Sequence, residues 1–104
     1  MILARVYVGT QFDANGKALD PHEVARHLQD FEVHLAHRYG GVTVTWGTGR
    51  SAECLAGERT VVYETLMETE GDWQDLTNHA IILRDLLRQG SVLTVKFTVD
   101  AHFN

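Results

Sequence analysis

The chain has 104 residues, 44% of them hydrophobic and 22% charged, with a formal net charge of −5, one proline and one cysteine. That length and balance are those expected of one packed globular domain over residues 1–104, neither disordered nor multidomain. The negative charge argues against general affinity for nucleic acid or anionic membranes, and Cys54 alone cannot close an internal disulfide, which fits a reduced, cytoplasmic setting.

Residues 2–8 alternate, with Ile2, Ala4, Val6 and Val8 on one side and Leu3, Arg5 and Tyr7 on the other. Period-two spacing with β-branched residues predicts a half-buried strand. The segment opens on this strand pattern and not on the basic and apolar run of a secretion leader, and no stretch approaches the roughly 18 apolar residues of a membrane span. A polar loop follows, with its turn at Asn15-Gly16.

Asp20 as N-cap, Pro21 at the first helical position and Glu23 completing a capping box predict a helix start. Val24, Leu28, Phe31, Leu35 and Tyr39 then recur at helical spacing, and Gly40-Gly41 ends the helix. Residues 42–46 alternate again, and residues 47–57 read as an exposed loop. Residues 58–67 form a third strand whose facing is ambiguous, because Val61 and Tyr63 compete with Val62 and Leu66.

A second helix is expected from Gly71-Asp72, with Asp72 as N-cap, Asp75 in the first turn and Gly90 closing it. Its apolar stripe is Leu76, Ala80, Leu83 and Leu87, broadened by Ile82 and Leu86. Residues 92–99 are the last strand, with Leu93, Val95, Phe97 and Val99 opposite Thr94, Lys96 and Thr98. The order β-α-β-β-α-β is that of a ferredoxin-like sandwich, a four-stranded antiparallel sheet with two helices on one face. The open face is then expected to carry Leu3, Arg5, Tyr7, Thr43, Thr45, Lys96 and Thr98.

Several clusters could carry chemistry. Glu23, His27, Asp30, His34 and His37 share one flank of the first helix, a spacing at which imidazoles and carboxylates can hold a metal. A solvated face is the commoner outcome, so neither metal nor cofactor is expected. The Gly47–Ser51 segment could present amides and Arg50 to an anion, but it lacks the ending of a phosphate loop. Cys54 reads as a bystander thiol, since the neighbouring Glu53 opposes a thiolate. Glu58, Glu64, Glu68, Glu70 and Asp72 form an acidic run suited to basic partners. Trp46 is the better exposed contact anchor, Trp73 the better core plug. The residues expected to bind are Tyr7, Trp46, Arg50, Glu64 and Lys96.

Val6-Tyr7-Val8-Gly9, Gly40-Gly41-Val42-Thr43-Val44, Glu58-Arg59-Thr60-Val61-Val62 and Gln89-Gly90-Ser91-Val92-Leu93 give most of the chain a pattern that resembles small uncharacterised ferredoxin-like families of bacteria and phages. The resemblance implies the fold and brings no catalytic motif. The sequence leans toward a small acidic, non-enzymatic interaction or regulatory protein with a protein partner, homodimeric through its open sheet face. The alternatives are a small ferredoxin-like enzyme of isomerase, oxygenase or hydrolase type, and a sensor of an anionic small ligand.

Overall fold

The computed structural model describes residues 1–52 and 54–104; Glu53, weighed above for its effect on Cys54, lies outside them. The elements follow the expected order: β1 (Ile2–Gly9), α1 (Pro21–Tyr39), β2 (Thr43–Gly49), β3 (Glu58–Met67), α2 (Glu70–Leu86) and β4 (Leu93–Thr98). The strands form one antiparallel sheet in the order β2-β3-β1-β4, with both helices on one face, the ferredoxin-like arrangement. No helix among the described residues is long and apolar enough to cross a membrane.

Alternation in β1 buries Ile2, Ala4, Val6 and Val8 against the helices. Its register, Val6 opposite Tyr63 and Val8 opposite Val61, resolves the ambiguity in β3: Val61, Tyr63, Thr65 and Met67 face inward, and Val62, Glu64 and Leu66 face outward. The α1 stripe packs on this surface through Val24, Leu28, Phe31 and Leu35, and α2 adds Leu76, Ala80 and Leu83, whereas Ile82 and Leu86, expected to broaden the α2 stripe, lie on its exposed side. Buried side-chain nitrogens and oxygens of the described residues all have hydrogen-bond partners. The inner Thr65, for example, donates to the Gly41 carbonyl at 2.6 Å.

The caps differ in detail from the sequence pattern. Asp20 caps α1 through the amide of His22 (3.0 Å), and Glu23 does not complete the box; it lies instead beside His27 and Arg88. Gly40 ends the helix at φ 85°, a left-handed conformation that needs no Cβ accommodation in glycine. In α2 the N-cap is Thr69, not Asp72. The Thr69 hydroxyl accepts from the Asp72 amide (3.1 Å) and the Asp72 carboxylate from the Thr69 amide (3.2 Å), a complete capping box. Thr69→Ala is therefore expected to cost about 1 kcal/mol in urea unfolding. The helix closes at Leu87, with Arg88 at φ 53° taking the left-handed position expected of Gly90.

Two further expectations are corrected. Gly47, Thr48 and Gly49 are not loop but the end of β2, paired with Thr60, Arg59 and Glu58, so the connecting loop starts at Arg50. In β4 the register sets Lys96 opposite Ala4, Thr94 opposite Val6 and Thr98 opposite Ile2. Lys96 and Thr98 therefore lie on the helix side, and Leu93, Val95 and Phe97 lie on the open face. The apolar side of β4 points away from the helices.

Candidate functional site

The edge strand β2 is left exposed on the helix side of the sheet. Val44 and Trp46 stand opposite Tyr63 and Val61 on the helix side, yet both are exposed, Trp46 at 49%. The result is a groove of about 830 Å³ between the first half of α1 and the β2 edge, within the size range of small-molecule sites. Pro21, Val24, Ala25 and Leu28 of α1 make one wall, Trp46 and Arg59 the other, and Phe12 and Leu19 close one end.

Three polar features organise this apolar groove. The Arg59 guanidinium lies 4.7 Å from the centre of the Trp46 ring, so the two make one flat cationic and aromatic wall. The Arg59 amide donates to the Gln11 side chain at 2.6 Å, and Glu58 accepts from the amides of Gln11 and Phe12, which ties the loop after β1 to β3. Across the groove, Glu32 accepts from the hydroxyl of buried Tyr63 at 2.9 Å. Burial, together with the Glu32 bond and charge, pushes the Tyr63 hydroxyl far above its ordinary value, so Tyr63 remains a donor and Glu32 an acceptor. The Tyr63 ring packs edge-to-face with Phe31, with centroids 5.3 Å apart.

A second cleft, of about 710 Å³, lies beyond the Glu58 side chain and is lined by Asp13, Arg50, Ser51 and Cys54 among others. Arg50 donates to the Leu55 carbonyl at 3.0 Å, and the carboxylates of Asp13 and Glu58 share the cleft. With two acids beside one arginine, and Gly47 and Gly49 committed to β2, the arrangement does not favour an anion.

The five residues expected to bind are not brought together. Tyr7 and Glu64 stand on the open face, where Glu64 pairs with Arg5 at 2.7 Å and Arg5 reaches over Phe97. The hydrogen bond to Glu64 is the chief cause holding Arg5 above its ordinary pKa. Trp46 is in the groove and Arg50 in the second cleft. Lys96 lies across the sheet, bonded to Glu70 at 2.7 Å and 5.4 Å from the Trp73 ring centre. The acidic run is likewise shared out: Glu58 binds amides, Glu64 and Glu70 pair with Arg5 and Lys96, and Asp72 accepts from the Thr69 amide as N3 of the α2 capping box and meets Arg38. Sequence reasoning missed Glu32, Arg59 and Gln11. Glu32 sits between the stripe residues Phe31 and Leu35, one position round from the buried line, and that position was the available signal.

The fold is that of a ferredoxin-like α+β protein with a groove along one edge strand. Solved structures sharing this fold include a phage SAM lyase in the apo state, with TM-score 0.66, 15% identity and coverage of 99% of this chain and 91% of that one. A phage SAM lyase in complex with S-methyl-5'-thioadenosine gives 0.60, 15%, 92% and 79%. A protein of Arabidopsis thaliana gives 0.53, 16%, 98% and 99%. No protein-family model and no curated protein matches the sequence. At such identities the likeness concerns the fold.

Proposed function

We propose that the chain works as an assembled binding protein, in which a second copy covers the open sheet face. The observation that supports this is the inverted facing of β4. Leu93 and Phe97, 58% and 44% exposed, point away from the helices while Lys96 points toward them. A strand that turns its apolar side from its own core leaves a surface with a cost in water unless something covers it. Leu3, Tyr7, Val62, Leu66 and Val95 extend the same surface across the sheet. Arg5 and Glu64 neutralise each other at its middle, so a second copy meets an apolar face without net repulsion. Sedimentation equilibrium of the unmodified chain tests the assembly, and a monomeric mass up to millimolar concentration would remove it.

The groove favours a second activity, binding of a small ligand with a flat apolar group and an N–H or O–H donor. The flat group lies along Trp46 and Arg59, and the donor meets Glu32. A phage lyase of the same fold was solved with S-methyl-5'-thioadenosine, which combines a flat base with an apolar thioether, so that compound is the natural first probe. In calorimetric titrations with it and with a panel of planar amines, Trp46→Ala is expected to weaken binding by about tenfold or more. Unchanged amide spectra of the groove residues with every compound would overturn this reading.

A further inference from the structure

The histidines of α1 have a partner that their own helix does not supply. The helices run antiparallel, with the end of α1 beside the start of α2, as the Tyr39 hydroxyl bond to the Asp72 carbonyl (2.9 Å) shows. This packing brings His79 of α2 onto His34 of α1, with ring centroids 3.7 Å apart, and Asp75 next to both. The other members of the sequence flank do not join them: His27 stands beside Glu23, and Asp30 and His37 are exposed.

We propose that His34, Asp75 and His79 form a binding site for a divalent transition metal, zinc being the ion that the ligand set fits best. One ligand atom from each residue lies within 4.8 Å of the other two. His34 Nε2 and Asp75 Oδ2 are 3.3 Å apart. That spacing matches the separation of about 3.4 Å between ligand atoms set by zinc bonds of about 2.0–2.1 Å at a tetrahedral centre. Two imidazoles and a carboxylate leave one position for water or an incoming group.

The surroundings prepare the ligands. His79 Nδ1 lies 2.9 Å from the Asp75 backbone oxygen and 3.4 Å from Asp75 Oδ1; in the tautomer that donates Nδ1–H to the backbone, the ring is oriented and Nε2 is free to bind, the usual orienting device of metal-bound histidine. The Tyr39 hydroxyl donates to Asp75 Oδ2 at 2.6 Å and holds the carboxylate in place. The side chains of His34, Asp75 and His79 are 30%, 29% and 36% exposed, which leaves an ion a path in. The stacked rings cannot both aim a lone pair at one point, so metal entry turns one ring about χ2. Arg38 Nε lies 3.9 Å from Asp75 Oδ2 and its charge opposes a cation there, although Asp72 draws the guanidinium away at 3.0 Å.

The test uses the full chain, stripped of metal by a chelator, with zinc chloride as the probe. The expected results are one ion per chain by calorimetry, a rise in Tm of at least about 5 °C at saturating zinc, and shifts of the His34 and His79 ring protons by NMR. His34→Gln and His79→Gln should each weaken binding by about tenfold or more, whereas His102→Ala near the chain end should not. The ring-proton shifts in the unmodified chain decide the matter even if a variant folds poorly. No heat and no Tm rise with excess zinc, or an undiminished response in the double variant, would overturn the site. The outcome is independent of the groove, which Trp46→Ala reports on separately.

Discussion

If a second copy covers the open face, Phe97→Asp is expected to leave the chain monomeric, weakening self-association by about a hundredfold or more, because the contact loses a large apolar side chain and must desolvate a carboxylate in its place. Phe97 stands opposite Leu3 on the outward side of β4 and beneath the Arg5 guanidinium. In a monomer the new carboxylate stays in water at a sheet edge and meets Arg5, so the fold itself is left intact. Sedimentation velocity from micromolar to millimolar concentration distinguishes the two chains. Val33→Asp is the control, since Val33 is 50% exposed on α1, away from the open face, and should leave the mass unchanged. If Phe97→Asp and the parent chain share one mass at every concentration, the open face is not the contact.

The second large effect is on stability. Leu35→Ala is expected to lower the unfolding free energy by about 2–5 kcal/mol, the sum of lost transfer energy and an unfilled cavity. Leu35 is fully enclosed, at 0% exposure, on the stripe of α1 that packs on the sheet. For a domain of this size that loss lowers Tm by about 10 °C or more. Val33→Ala, on the solvent side of the same helix, should stay within about 0.5 kcal/mol of the parent. Urea unfolding of both variants checks the pair, and similar costs would mean that the stripe is not what holds α1 down.

Much of the fold is legible without coordinates. The α1 stripe, its Asp20-Pro21 start and its Gly40 end are local signals, each set by residues a few positions apart. The alternation of β1 is equally local, and with the element order it suffices for the ferredoxin-like arrangement. The second helix start is locally ambiguous: both Thr69 and Asp72 are capping types, and reciprocal bonding between them decides which is N-cap and which is N3.

The facing of β4 lay beyond such signals. Its alternation is clear, but alternation does not say which side meets the helices. The natural assumption sends Leu93, Val95 and Phe97 inward; the pairing of Lys96 with Ala4 sends them outward, because register with β1 sets the parity of the whole strand. Trp46 was singled out as a contact residue, yet its Arg59 and Glu32 neighbours come from other elements. Likewise His34 was visible in the helix flank, while its companions Asp75 and His79 arrive only when α2 packs beside α1.

By itself, then, the sequence determined what spacing along one element can determine: the helices, the strands, their order and the buried stripe. Only the tertiary structure decided which sheet face each β4 residue joins, which edge stays uncovered and which histidines meet. Those depend on register and helix packing between residues far apart in the chain, where no periodicity reaches.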